Sequence, residues 1–199
     1  MRALKPVISG FDREAAAGSD TGLLLAAQGL EVTDKEIDAI SPWRFKAPLS
    51  PDIAAAREGR SVEYEKLLGF CREAVAQTDR DSVLLIEGIG GTMVPLDMSH
   101  TVRDWIAALG IPAIIVTGTY LGSLSHCLTA VESLRQFGIV AAALVVSESV
   151  DGAMTPAEQA VTLGRFLNGI RSVTLPRLPA NDDWHSAPDL TSVVRAIWT

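Results

Sequence analysis

Hydrophobic and polar positions along the chain fall into two patterns. Short apolar runs without alternation, Val83-Leu84-Leu85-Ile86, Ala113-Ile114-Ile115-Val116 and Ile139 to Val146, predict strands buried on both faces. Between them lie stripes of helical period. Tyr64, Leu67, Leu68, Cys71, Ala74 and Val75 mark a helix starting at Ser61, and Val102, Trp105, Ile106 and Leu109 a second behind the Thr101/Asp104 capping-box spacing. Leu124, Cys127, Leu128, Val131 and Leu134 mark a helix over 123–137, and Leu190, Val193, Val194 and Ile197 a last one. Caps place three more. Ser19-Asp20 precedes a helix through Leu23–Ala27 that Gly29 closes, Ser50-Pro51 opens one that ends at Gly59, and Thr155-Pro156-Ala157-Glu158 is the strongest helix start in the chain.

The remaining stretches are extended or irregular. Ala3 to Gly10 predicts one strand running into a loop, with Pro6 holding it extended. Ser41 to Leu49, punctuated by Pro42 and Pro48, predicts a loop, and Val173–Leu175 a short strand before Pro176 and Pro179. Non-alternating strands separated by amphipathic helices predict an α/β fold in three layers, a mainly parallel sheet with helices on both faces. No repeat, low-complexity tract or long linker interrupts the chain, so residues 1–199 are expected to form a single domain.

Composition narrows the class. Hydrophobic residues make up 48% of the chain, which excludes a disordered protein, and no apolar run reaches the length of a membrane span. Seventeen basic against 24 acidic residues give a net charge of -7, which argues against bulk nucleic-acid binding. Cys71 and Cys127 each fall on an apolar helix face, so buried free thiols and a cytoplasmic location are expected.

Candidate chemistry gathers where strands end. The Val83 run stops on Glu87, followed by Gly88-Ile89-Gly90-Gly91, where a carboxylate could hold a divalent cation and bare backbone could approach a ligand. The same residues also read as an ordinary glycine turn. Lys5 interrupts an apolar strand and reads either as a functional cation or as a side chain snorkelling to solvent. Asp20 reads as a metal- or phosphate-side acid or as part of a helix cap. There is no Gly-x-Ser-x-Gly elbow, no dinucleotide-binding Gly-x-Gly-x-x-Gly after a strand, and His100, His126 and His185 lack metal-ligand spacing.

Several motifs together resemble one family. Lys5-Pro6-Val7-Ile8-Ser9-Gly10, Ser19-Asp20, Glu87-Gly88-Ile89-Gly90-Gly91, Val94-Pro95-Leu96 and Leu121-Gly122-Ser123-Leu124-Ser125-His126 stand in the order and approximate spacing of dethiobiotin synthetase, from Ala3 to about Leu178. The resemblance implies a P-loop NTPase-like fold and a homodimer. It further implies an ATP- and magnesium-dependent ligase that carboxylates 7,8-diaminopelargonic acid with carbon dioxide, phosphorylates the carbamate and closes the ureido ring. By that resemblance Lys5 is catalytic, steadying the carbamate and the transferring phosphoryl group. Ser9, Gly122, Ser123 and Ser125 bind the diamine, the last three from a segment that reaches over the neighbouring subunit's pocket. Asp20 and Glu87 hold Mg2+ and, with Gly88, Ile89, Gly90, Ser147, Glu148, Pro176, Arg177 and Leu178, meet the nucleotide.

The chain also departs from the family. Ser147-Glu148 stands where Asn-Asp is usual, and a serine hydroxyl cannot make a two-pronged amide contact to adenine. Arg177 replaces a frequent aromatic residue, and Ser125 a common asparagine. None of the four lysines, Lys5, Lys35, Lys46 and Lys66, follows a glycine, so these 199 residues hold no Gly-Lys-Thr phosphate loop. Met1 is therefore expected to be a late start, with the first βα unit of about 40 residues upstream, and the 199 residues alone are expected to be a poor ATPase. Two other readings stay open on the residues alone. One is a non-catalytic relative acting as a dimeric ligand-binding or interaction module; the other is a different amide-forming or phosphoryl-transfer P-loop enzyme.

Overall fold

The computed structural model describes residues 1–178 and 186–197; Pro179 and His185 lie outside the described residues. The chain is an α/β protein and divides into two compact units, Met1–Leu109 and Gly110–Thr199.

In the first unit the expected Ala3–Gly10 strand is two strands. β1 (Arg2–Leu4) runs parallel to β4 (Leu84–Ile86), while β2 (Val7–Ser9) runs parallel to β3 (Trp43–Phe45). Pro6 explains the division. The β1 ladder continues as far as the Glu87 N–H donating to the Leu4 carbonyl (2.8 Å), but Pro6 has no N–H with which to extend it. Lys5 N–H turns to the Ile40 carbonyl (3.1 Å), and the Pro6 carbonyl accepts from Trp43 (3.0 Å), which starts the second ladder. The 41–49 stretch expected to be a loop thus contains a strand, because its prolines flank residues 43–45 and do not interrupt them.

Helices cover both faces of these ladders. α1 (Asp20–Ala27) and α2 (Asp34–Ile40) pack with Leu4, Ile8, Phe11, Leu25, Ile37 and Ile40. α3 (Pro51–Arg57), α4 (Tyr64–Ala76) and α5 (Val102–Leu109) pack with Val7, Phe45, Leu67, Cys71, Leu96 and Trp105. The alternation of Val7 and Ile8 between the two clusters is what a strand buried on both faces requires. α2 was not foreseen, although Thr33-Asp34-Lys35-Glu36 carries a start signal, the Thr33 hydroxyl accepting from Glu36 N–H (3.3 Å). α4 begins at Tyr64, three residues later than expected, and Val75, expected on its apolar face, is exposed.

The outer edge of β1 is closed by a side chain. Gln28, just past α1, accepts from the Ala3 N–H (2.8 Å) and donates to the Ala3 carbonyl (3.2 Å), imitating one residue of a neighbouring strand. It also donates to the Leu24 carbonyl (2.9 Å). β4 pairs with β1 on one edge and, among the described residues, with no named strand on the other.

In the second unit β5 (Ala113–Thr117), β6 (Ala141–Ser147) and β7 (Arg171–Leu175) form a parallel sheet with β6 central. β6 starts two residues later, and β7 two residues earlier, than expected. Leu144 and Val146 pack with α6 (Ser123–Gln136) and α7 (Pro156–Phe166), while Ala143 and Val145 pack with α8 (Thr191–Arg195), so this sheet is the middle of three layers. The α7 capping box is formed as expected. Cys71 and Cys127 are buried and free, as expected. Burial pushes the Cys71 thiol up to about 12, with the Trp105 indole opposing, and raises Cys127, so neither is a nucleophile at neutral pH.

Two outcomes follow from this packing. Gln28→Leu removes three hydrogen bonds and leaves the Ala3 groups facing an apolar side chain; it should cost about 1–3 kcal/mol in urea unfolding. A loss under about 0.5 kcal/mol, the scatter of neutral surface changes, would show that water replaces the amide. Asp104 accepts from the N–H and hydroxyl of Thr101. Burial opposes its ionisation, but these bonds outweigh it and hold the carboxyl below its usual value. A depressed value means stability that is present above the unfolded carboxylate range and lost as pH falls through the folded value. The stability gap between wild type and Asp104→Asn should therefore shrink in acid; a gap that is flat from neutral into acid would contradict the assignment.

Candidate active site

The first unit brings Lys5, Asp20, Glu87 and Gly88 together. Lys5 lies where β1 gives way to β2, and its side chain is only 6% exposed. Its ammonium donates to Glu87 Oε1 (2.6 Å) and to the Gly88 carbonyl (2.9 Å), and pairs with Asp20 Oδ2 (3.1 Å). The side chain is thus not snorkelling. A buried ammonium needs such partners, since an uncompensated charge out of water is costly. The two carboxylates are about half exposed, 56% for Asp20 and 49% for Glu87, so both keep a face towards solvent.

Local structure holds each partner in place. Glu87 is the first residue past β4, and its N–H is fixed on Leu4. Asp20 opens α1 directly behind its N-cap: the Ser19 hydroxyl accepts from Gly22 N–H (3.3 Å) and donates to the Ala16 carbonyl (2.7 Å). The cap is therefore Ser19, and Asp20 is left to face Lys5. A Cβ on Gly22 would lie 2.2 Å from the Ala16 carbonyl oxygen, so only glycine allows this turn against α1. The buried Thr21 and Ser41 hydroxyls share a hydrogen bond (2.8 Å) that ties the start of α1 to the segment after α2.

Ser9 ends β2, and its hydroxyl is buried without a hydrogen-bond partner among the described residues. Past Glu87, Gly88 and Ile89 are half-buried, with Ile89 packed on the α3–α5 side of the core. Gly90 has φ +62°, and a Cβ there would stand 2.8 Å from a Val94 methyl.

The second unit brings together the other nominated residues in two groups. Ser147 ends β6 opposite Leu175, and Glu148 N–H donates to the Leu175 carbonyl (2.9 Å). Glu148 Oε2 accepts from Arg177 N–H (2.9 Å), so Ser147, Glu148, Pro176, Arg177 and Leu178 meet at the carboxyl ends of β6 and β7, where ligands of parallel sheets sit. Gly122, Ser123 and Ser125 form the first turn of α6, entered through Gly122 at φ +98° with no side-chain cap. Ser125 is exposed, but Ser123 is fully buried and its hydroxyl donates to Gln159 (2.9 Å). The Ser123 side chain thus belongs to the fold, and only its backbone is left for a ligand. Tyr120 hydroxyl and His126 Nδ1 lie 2.9 Å apart across the exposed Leu121.

Among the described residues no three His, Cys, Asp or Glu side chains converge as a metal-holding group, and no helix is long and apolar enough to cross a membrane. The sequence reading missed Gln159 and the Thr21–Ser41 pair. Gln159 carried a signal, a polar residue in helical register with the buried Leu163 on α7.

A family model described as an AAA domain matches residues 1–180. The ATP-dependent dethiobiotin synthetase BioD of Acidiphilium cryptum (strain JF-5) is 52% identical over 147 residues, 73% of this chain and 65% of that protein. The chain belongs to the dethiobiotin synthetase family. The proteins of the same name from Methylobacterium nodulans and Phenylobacterium zucineum are 46% and 43% identical, covering 89% and 88% of this chain and 80% and 75% of their own lengths. The chain thus spans 65% to 80% of the length of these dethiobiotin synthetases.

The Gly90 geometry can be tested. Gly90→Ala combines a left-handed φ with a methyl clash and should lower stability by about 1–3 kcal/mol. Adding Val94→Ala should recover the part due to the clash. Wild-type stability in the single variant would show that the loop relaxes freely.

Proposed function

We propose that this chain acts in the ATP-dependent, magnesium-dependent formation of dethiobiotin from 7,8-diaminopelargonic acid and carbon dioxide. The observation that carries the reading is the Lys5 ammonium held between Glu87 and Asp20, with the buried Ser9 hydroxyl, unpartnered among the described residues, at the end of β2. The names of the relatives, ATP-dependent dethiobiotin synthetases, support it. A single domain over 1–199 belongs to the same proposal, supported by a family match that runs through both units.

The residues fit a magnesium ion. Asp20 and Glu87 already direct hard oxygens at one cation, the Lys5 ammonium, and Mg2+ takes one or two carboxylates with water and phosphate oxygens completing its shell. When bound, the ion neutralises charge on the triphosphate. Lys5 supplies a fixed positive charge for the carbamate and the phosphoryl group moved onto it. Ser9 offers its buried hydroxyl to a diamine nitrogen. Ring closure expels the phosphate as the second amine attacks the activated carbonyl. In the first unit the Gly88–Gly90 backbone would meet the substrates; in the second, Ser147, Glu148, Pro176, Arg177 and Leu178 are the residues proposed to meet the base. A serine where a bidentate amide would read adenine implies loose base selectivity.

The homodimer is part of the proposal. Leu121 is 90% exposed and stands beside Gly122 and Ser125, a surface suited to meeting a second copy. A cytoplasmic location accords with the two free thiols.

Calorimetric titration with 7,8-diaminopelargonic acid, without nucleotide, should show weak binding that Ser9→Ala reduces. Glu87→Ala should abolish magnesium dependence of nucleotide binding while the thermal midpoint stays within a few degrees, because the acid is half exposed at a strand end. The reading would be abandoned if the wild-type protein bound neither the diamine nor magnesium nucleotide.

A further inference from the structure

Two loops follow the adjacent strands β5 and β6 of the second unit, and a half-buried polar clasp joins them. Thr119, fully buried, donates from its N–H to the Ser149 hydroxyl (2.9 Å), and Ser149 returns its own N–H to the Thr119 hydroxyl (3.0 Å). The Thr119 carbonyl accepts from Ala153 (2.9 Å). The contacts leave no room for a side chain at two positions. A Cβ on Gly118 would lie 2.5 Å from the Ser149 hydroxyl, and one on Gly152 would lie 2.5 Å from the Thr119 hydroxyl.

Gln159 completes the arrangement from α7. It is 0% exposed, and its amide spans the loop 118–123 from end to end. The NH2 group donates to the Gly118 carbonyl where the loop leaves β5, and the amide oxygen accepts from the Ser123 hydroxyl where it enters α6. A buried amide costs free energy unless both its ends are bonded, and here both are. Between the two anchored ends stand Tyr120, Leu121 and Gly122, all exposed. The loop is therefore rigid at its roots and open at its tip.

We infer that Gln159 is a positioning residue that sets the pose of the 118–123 loop and, through it, the use of the diamine by the Leu121–Ser125 segment. The second half rests on the proposed function, in which that segment meets the diamine. Gln159 touches no substrate; it acts through Gly118 and Ser123. Because Thr119 and Ser149 are clasped to each other, the loop is also tied to the segment that follows Ser147 and Glu148. Among the described residues the amide nevertheless grips only the two ends of the loop that carries Gly122 and leads into Ser125.

Two variants test the inference. Gln159→Met keeps length and bulk but removes both bonds. Amide hydrogen exchange in residues 119–124 should quicken by about 10-fold or more, with the β6 amides unchanged, since local opening follows local bonding. Diamine affinity should fall about 10-fold, while magnesium nucleotide affinity stays within about 2-fold. Gln159→Glu adds a pH signature that a simple loss of packing lacks. Its neutral acid can donate to Gly118 and accept from Ser123, whereas its carboxylate cannot donate, so loop protection and diamine affinity should return on going from about pH 8 to about pH 5. Unchanged exchange in the loop of Gln159→Met overturns the positioning role. A loosened loop with unchanged diamine affinity overturns its link to the diamine. Equal losses for diamine and nucleotide, or a Glu variant insensitive to pH, would reduce Gln159 to general packing and overturn the inference. If the wild-type protein binds no diamine, the functional reading fails on its own, and the exchange data alone then judge the positioning role.

Discussion

The first unit depends on one buried charge. Lys5 is buried on the short bridge between two ladders, and its ammonium cannot stay there alone. Its partners come from two places: Glu87 and Gly88 after β4, and Asp20 from the start of α1. To satisfy that charge the chain must bring the end of one strand and the start of a helix to one point. The fold around it supplies the means. Pro6 ends the first ladder, Ser19 caps α1 so that Asp20 is not consumed by the cap, and Gly22 lets the turn at Ala16 come close.

The same arrangement explains why the site is polar yet ordered. Each acid is half exposed, so desolvation is borne mainly by the lysine, and the carboxylates remain open to further ligands. A cation held by two carboxylates is a site already shaped for positive charge. Ser9 adds a buried hydroxyl that no described residue satisfies, the kind of group a fold retains when a ligand completes it.

The second unit solves a different problem. Its central strand β6 is buried on both faces by apolar contacts, whereas the loops at its carboxyl end are held by uncharged hydrogen bonds among Gly118, Thr119, Ser123, Ser149 and Gln159. Neutral bonds fix the roots of the loop without burying a net charge there. The next strand is tied in by a charged acceptor instead, the Glu148 carboxylate accepting from the Arg177 N–H.

Much of this was legible in the chain. The strands at Leu84, Ala113 and Ala141, the capped helices at Asp20 and Pro156, the helix at Pro51, whose expected Ser50 side-chain cap does not form, and the family to which Lys5, Asp20 and Glu87 point could be read from local pattern, because burial period, helix-start residues and strand-end glycines act over a few residues. What could not be read depended on distant partners. Pro6 divides one apolar run between two sheets only because Trp43 and Ile40 are there to take up the freed backbone groups. Residues 43–45 are a strand because β2 offers them a ladder, not because of their own pattern. Ser123 looks like a ligand-facing serine in sequence and is turned inward by Gln159, 36 residues away. Local sequence determines which element a segment prefers, but which side chain neutralises a buried charge or completes a buried amide is decided by tertiary contact, since those energies exist only once the partners meet.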